Sequence, residues 1–397
     1  MKKILSLFIA VLLGLSVGLM NVQAETKEPQ KNEENTKNNA DLAKSAKAAY
    51  LMEYSSGKMI YAKNEHEKLY PASMTKMMGL LLIYEALNDG KLKWDDVVTT
   101  SEHAASMGGS QVFLEVNEQM SVRDMVKSIC IASANDAMVA MAEKIGGTHE
   151  HFVQLMNDKA KQLQLKETHF MNATGLHDPE HYTSAYDMAM IAKALIKEGD
   201  KELLDITSTY DAYIRENSDN KFWLVNTNKL IKQYPGVDGL KTGFTQEAMS
   251  CITVTAQKDS LRLISVVMGE PSSKQRNAEI KTMLDYGFSQ FEQGLLYPAD
   301  TVIETKQLDN GKPDKVNLIT TKDIRYVFEK GTQPKEADRK VEIIKPNLPY
   351  LRGDIVGKVT ITMDDGFVAE SDLTVDADVQ PLDYFDLFVK SFIDFLI

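Results

Sequence analysis

Residues 75–87 are apolar on nearly every side, with Met77, Met78, Leu80, Leu81, Leu82, Ile83 and Leu87 leaving no polar stripe to face water. Asn88-Asp89-Gly90 follows as a natural helix stop. Such a helix has to be enclosed by other elements, so the chain must build a domain around it. Ser73 and Lys76 stand at its entrance. Residues three apart on a helix share a face, which puts Lys76 one turn beyond Ser73 and pointing the same way. Burial disfavours the charged ammonium, and a serine hydroxyl is a poor nucleophile until a base lies within hydrogen-bond reach. The pattern describes a serine acyl-transfer pair in which a lysine, not a histidine, takes the proton.

Ser-x-x-Lys fixes only two residues, and the chain carries two decoys. Ser55-Ser56-Gly57-Lys58 lies between short alternating runs, where Ser-Gly reads as a hairpin turn. Ser218-Asp219-Asn220-Lys221 sits in a polar stretch that reads as a surface loop. Only Ser73 opens a helix that has to be buried.

Two further fragments stand downstream: Ser133-Ala134-Asn135, sixty residues after Ser73, and Lys241-Thr242-Gly243, 108 residues later and just before a β-hairpin. In this order and separation the three resemble the signature of class A β-lactamases and penicillin-binding proteins. Pro71-Ala72-Ser73-Met74-Thr75-Lys76-Met77-Met78, Asn172-Ala173-Thr174-Gly175-Leu176 with Thr183-Ser184-Ala185-Tyr186-Asp187-Met188, and Gly239-Leu240-Lys241-Thr242-Gly243 narrow the likeness. The chain resembles the low-molecular-weight penicillin-binding proteins of serine peptidase family S11, the D-alanyl-D-alanine carboxypeptidases, from about residue 46 to its C-terminal end.

The resemblance implies that Ser73 attacks the carbonyl between two terminal D-alanines of a peptidoglycan stem peptide while neutral Lys76 accepts its proton, and that β-lactams acylate the same serine. It implies that Ser133 relays a proton to the leaving nitrogen, and that Asn135 holds a substrate amide and restrains Lys76. Lys241 and Thr242 would face the terminal carboxylate, and the second cation would further disfavour a charged Lys76. Gly243 would let substrate lie along its strand as an added strand. The backbone N–H groups of Ser73 and Phe244 would form the oxyanion hole, each donor worth about 3 kcal/mol. Arg276 is a looser candidate for the carboxylate. No cofactor or metal is implied. A class A β-lactamase would carry Glu-x-x-Leu-Asn after the second motif; here Asn172–Leu176 occupies that part of the chain, and Glu85-Ala86-Leu87-Asn88 is too short and too early.

Lys2-Lys3, an uncharged run over residues 4–20 and Val22-Gln23-Ala24 have the parts of a secretory signal peptide over residues 1–24. A retained spanning helix is the alternative, at the short end of the spanning range. Residues 25–45 are expected to be a disordered spacer. Net charge is −12, falling to −14 once Lys2 and Lys3 are removed with the leader, and no basic stripe exists to meet phosphates, so nucleic acid is excluded as a partner. Cys130 and Cys251 are too few for a disulfide framework and sit among apolar neighbours, so buried thiols are expected, although an exported chain permits a bridge.

The pattern predicts an α/β peptidase domain over residues 46–295, a penicillin-binding or β-lactamase-like transpeptidase fold. Its antiparallel sheet is drawn from both ends of the domain, with helices on both sides. Helices are expected over 75–87, 122–145, 186–198 and 277–291, and a hairpin over 249–257 and 261–268. Short strands near 301–304, 315–319, 324–328, 340–344, 358–363 and 372–375 predict a small β-sandwich over 296–378.

Residues 379–397 are expected to form an amphipathic helix, with Asp383, Asp386, Lys390 and Asp394 on one side and Leu382, Phe385, Phe388, Phe392, Phe395 and Leu396 on the other. It would lie on the outer face of the cytoplasmic membrane, as is typical of the resembled carboxypeptidases, or dock on the β-domain. Three other readings stand beside the enzyme: a non-catalytic penicillin sensor or wall-binding protein, a slow β-lactamase, and a zinc peptidase. The histidine pairs His149/His151 and His177/His181 offer no convincing third ligand for zinc.

Overall fold

The computed structural model describes residues 41–396 except Asn217; the expected leader and residues 25–40 of the expected spacer lie outside the described residues. Strands β1 (Ala48–Glu53), β2 (Met59–Lys63), β3 (Val237–Thr245), β4 (Met249–Lys258) and β5 (Leu261–Glu270) form one antiparallel sheet in the order β2-β1-β5-β4-β3. The ends of the domain thus meet in one sheet, as the pattern predicts. Strand β1 is buried throughout, and its side chains alternate. Ala48, Tyr50 and Met52 enter the larger core, whereas Ala49 and Leu51 enter a second core beneath the sheet. Each fully buried side chain of leucine size contributes roughly 2 kcal/mol.

Helices α1 (Lys76–Asn88), α2 (Asn135–Gly146) and α3 (Ala185–Ser208) build the larger core, and α4 (Ser273–Gln290) covers the opposite face with Ile280, Met283 and Leu284. Residues Lys76 to Tyr84 of α1 are all buried, as its all-round apolar sequence demands, and Gly90 beyond its C-cap has φ +70°. Helix α3 runs ten residues past its expected end because Leu203 and Ile206 resume the buried pattern beyond a non-helical Asp200.

The expected helix over 122–145 is split. Val122–Lys127 passes into a wider π-helical turn, Ser128–Ala132, and Ser133 then takes φ +63° before α2 begins. A left-handed non-glycine residue cannot continue a helix. The break lifts Ser133 out of a helical surface.

Three expected boundaries are corrected. Leu42, Ala43 and Ala46 are buried in the second core, so packed structure reaches back to Leu42 rather than starting at 46. Phe291–Tyr297 is a strand paired with Ile324–Glu329, so residues 291–295 join the β-rich unit and α4 stops at Gln290. The main sheet of that unit has the order Val302–Gln307, Lys315–Thr320, Val368–Val375, Gly357–Met363, Glu336–Ile343, enclosing Leu318, Val359, Ile361 and Leu373. Gln380–Pro381 pairs with Gly311–Lys312, so residues 379–381 close this unit and the terminal helix, α5, covers Tyr384–Leu396.

Helix α5 turns its polar side to the β-rich unit. Asp386 pairs with Lys312 at 3.0 Å, and Lys390 Nζ donates to the Asp309 carbonyl. Phe385, Phe388 and Phe392 face outward, 74%, 68% and 56% exposed; the side chains of Asp394, Phe395 and Leu396 lie outside the described set. Among the described residues no helix is long and apolar enough to cross a membrane.

Candidate active site

Ser73 lies in a short 3-10 turn, Ala72–Thr75, that feeds directly into α1. The following helical turn carries Lys76 back onto it, so Nζ stands 2.8 Å from Ser73 Oγ. Lys76 is fully buried, and its second contact is the Thr174 carbonyl at 2.8 Å. Burial, then the charge of Lys241, holds its pKa well below the usual lysine value, with Asp136 acting in the opposite direction. A neutral amine has two N–H bonds and one lone pair. With one N–H on Thr174, the lone pair is available to the serine proton.

Ser133, at the break before α2, receives Lys241 Nζ at 2.8 Å, and the same ammonium reaches the Thr242 carbonyl at 3.1 Å. Lys241 is itself buried, which pulls it down to about 7. Asn135 caps this corner differently from expectation. Its Nδ2 donates to the Gly108 carbonyl at 2.6 Å, and none of its bonds goes to Lys76, so the expected restraint on that lysine is corrected: Thr174 provides it. Because Gly108 O can only accept, the amide orientation is fixed, and Asn135 Oδ1 is left buried with no partner.

Lys241, Thr242, Gly243 and Phe244 all lie on β3, the edge strand of the sheet. Gly243 packs against the nucleophile turn: a Cβ there would lie 2.6 Å from Pro71 O and 3.2 Å from Ser73 N. Its bare backbone is therefore needed for the approach of β3 to Ser73. Thr242 Oγ1 donates to Thr227 Oγ1 at 2.8 Å, and Phe244 is 68% exposed at the rim. Arg276 is buried one strand behind, where Nη1 donates to the Cys251 carbonyl at 3.3 Å and Nε to Asn277 Oδ1 at 3.1 Å. Cys251 pairs with Gly243 in the ladder, so Arg276 backs the strand.

Other parts of the site escaped the sequence. The Thr174 carbonyl is a backbone group, invisible to side-chain motifs, although Asn172–Leu176 marks its loop. Asn172 Oδ1 folds that loop by accepting from Thr174 N at 3.1 Å and Gly175 N at 2.7 Å. Gly175, at φ +84°, lies so close to the Ser73 turn that a Cβ would fall 1.8 Å from Ala72 O. His181 is 2% exposed and bonds Thr75 Oγ1 at 2.8 Å. His149, half of the other pair, accepts from Ala173 N at 3.3 Å. Among the described residues no group of three or more potential metal ligands occurs.

Both decoys are structural. Ser55 and Ser56 hydroxyls cap the Glu53 carboxylate in the β1–β2 turn, and Lys58 reaches Val327 O and Asp365 of the β-rich unit. Ser218 lies in an exposed hairpin loop, where Lys221 covers the Tyr213 ring. Cys130 and Cys251 are free and buried.

Comparison with known proteins shows the family. Residues 33–272 match the family model of D-alanyl-D-alanine carboxypeptidase (peptidase S11), and residues 291–381 match the penicillin-binding protein 5 C-terminal domain. The chain is 48% identical over 346 residues to D-alanyl-D-alanine carboxypeptidase DacF of Bacillus subtilis, covering 87% of this chain and 88% of the relative. It is 36% identical to DacA of Haemophilus influenzae over 84% of this chain and 85% of that protein. Penicillin-binding protein 5 from Haemophilus influenzae superposes with a TM-score of 0.70 at 36% identity, over 85% of this chain and 98% of that one. Penicillin-binding protein D2 from Listeria monocytogenes, in its ampicillin-bound form, superposes at 0.55 and 29% identity over 62% and 98%.

Proposed function

The chain belongs to the D-alanyl-D-alanine carboxypeptidase family of serine peptidases, and from that membership we propose a residue-by-residue mechanism for its penicillin-binding site. The observation that carries it is the 2.8 Å contact between the buried Lys76 amine and Ser73 Oγ. Ser73 Oγ attacks the carbonyl carbon of the penultimate D-alanine of a peptidoglycan stem peptide, and its proton passes to the Lys76 lone pair. The carbonyl oxygen becomes an oxyanion held by the backbone N–H groups of Ser73 and Phe244. Lys241 Nζ donates to Ser133 Oγ, and Ser133 relays the proton taken up by Lys76: its hydroxyl proton passes to the leaving nitrogen while its oxygen regains one from the Lys76 ammonium, which returns to the neutral amine. The C–N bond breaks, D-alanine departs, and a Ser73 ester remains for water to hydrolyse.

The substrate lies along the free edge of β3, which supplies the ladder for an added strand. Lys241, with Thr242 beside it, gives that end of the groove its positive charge for the terminal carboxylate. Asn135 Oδ1, buried and unpartnered, accepts a substrate amide N–H. A β-lactam follows the same first step and acylates Ser73.

The same reading places the enzyme outside the cytoplasm, with α5 resting on the outer face of the cytoplasmic membrane. Its polar side is occupied by the β-rich unit while Phe385, Phe388 and Phe392 project outward, the arrangement that suits insertion into an interface. Release of D-alanine from a pentapeptide ending in D-Ala-D-Ala tests the activity. A covalent β-lactam adduct at Ser73 without D-alanine release would instead favour a sensor.

A further inference from the structure

His181 lies outside the three motifs, yet it touches both halves of the nucleophile's setting. On one side its Nε2 meets Thr75 Oγ1 at 2.8 Å, between Ser73 and Lys76 in the chain. On the other its Nδ1 receives the Met171 N–H at 3.2 Å, at the root of the loop whose Thr174 carbonyl grips Lys76. The hydrogen-bond pattern fixes the tautomer. An N–H pointing at Nδ1 requires a lone pair there, so the ring proton is on Nε2. Nε2–H then donates to Thr75 Oγ1, and that hydroxyl spends its own proton on Ala72 O at 2.8 Å.

The bridge ends on a strained residue. Ala72 has φ +48°, an unfavourable conformation for a residue with a Cβ, and it immediately precedes the nucleophile. Its carbonyl is fixed by Thr75 Oγ1 and lies against Gly175 from the opposing loop. The chain Met171 N–H to His181 to Thr75 to Ala72 O is therefore continuous from the loop holding the base to the turn holding the nucleophile.

We infer that His181 is a positioning residue that keeps the Ser73 turn and the Lys76-binding loop in register, so that amine and hydroxyl stay within proton-transfer distance. This rests on the assignment of Ser73 and Lys76 above. Burial holds the imidazole down to about 4, against Asp178 and with His169 and His177, so the ring is neutral and the bridge intact at ordinary pH. With the bridge cut, the loop loosens, water reaches Lys76, and its pKa rises despite the unchanged repulsion from Lys241.

The test compares native protein with His181→Leu, which removes both bonds, and His181→Gln, which keeps one donor and one acceptor. Acylation by a fluorescent penicillin is followed against pH, with mass spectrometry to locate the adduct. We expect His181→Leu to acylate Ser73 about 100-fold more slowly, with the acid limb of the rate profile displaced to higher pH, and His181→Gln to recover most of both. An unchanged acid limb and rate with only a lower Tm, or a Gln variant as impaired as Leu, overturns the inference while Ser73 labelling preserves the assignment beneath it. An adduct elsewhere overturns both. Should His181→Leu not fold, Thr75→Val cuts the same bridge at its other end and must show the same displacement.

Discussion

Lys241 Nζ stands 2.8 Å from Ser133 Oγ across 108 residues of sequence, so the third motif holds the second in place while its charge acts on the first. Lys76 is neutralised chiefly by burial and secondly by that charge. Lys241→Gln removes the repulsion, so the Lys76 pKa must rise. The acid limb of kcat/KM, which reports the deprotonated base, should move to higher pH; a limb that stays or moves down contradicts the coupling. In the native enzyme an alkaline limb is expected near pH 7 from Lys241 losing its charge.

Gly243→Ala places a methyl 2.6 Å from Pro71 O and 3.2 Å from Ser73 N. The turn must shift, and a displacement of this size at a reacting centre costs on the order of 100-fold in kcat. Steady-state kinetics with a D-Ala-D-Ala peptide check it, with far-UV circular dichroism to show that the fold survives.

Glu270 is buried, and burial together with the neighbouring Glu279 pushes it up to about 8, against Lys63 and Arg276. A carboxyl whose folded pKa exceeds its unfolded value binds extra protons when folded, so its contribution to stability is fully retained below about 4.5 and falls as pH rises to about 8. Glu270→Gln should therefore raise Tm relative to native protein at pH 8.5 and change it least at pH 4.5. Equal effects at both values would remove the titration.

Cys130 and Cys251 are buried thiols, raised by burial to about 12 and about 11. Thiolate is the reactive form. Neither should react with a thiol-specific disulfide reagent at pH 8 in the native protein, and both should react once it is unfolded in denaturant.

How much of this was legible follows from what kind of group each feature uses. Helix α1 was plain because a segment buried on all sides has to be apolar all round, and the Ser73–Lys76 spacing needs only helical geometry. The break before α2 was hidden, since Ile129, Cys130, Ile131 and Ala134 keep a helical apolar pattern through the point where Ser133 turns left-handed. Thr174 acts through its backbone, and His181 reads in sequence like any polar loop residue. Asn135 is marked by its motif, but its partner Gly108 lies in a glycine-containing loop with no pattern of its own. Residues 291–295 read as part of the peptidase domain because Phe291 continues the apolar spacing of α4 while pairing as a strand.

The central claim, that the buried amine of Lys76 activates the hydroxyl of Ser73, is tested most directly by D-alanine release from a D-Ala-D-Ala pentapeptide alongside mass spectrometry of the penicillin adduct, for native protein, Ser73→Ala and Lys76→Met. Native protein should release D-alanine and carry the adduct on Ser73; Ser73→Ala should do neither, and Lys76→Met should lose at least about a thousandfold in both rates. Adduct formation that persists in Ser73→Ala, or a Lys76→Met variant that acylates at the native rate, contradicts it.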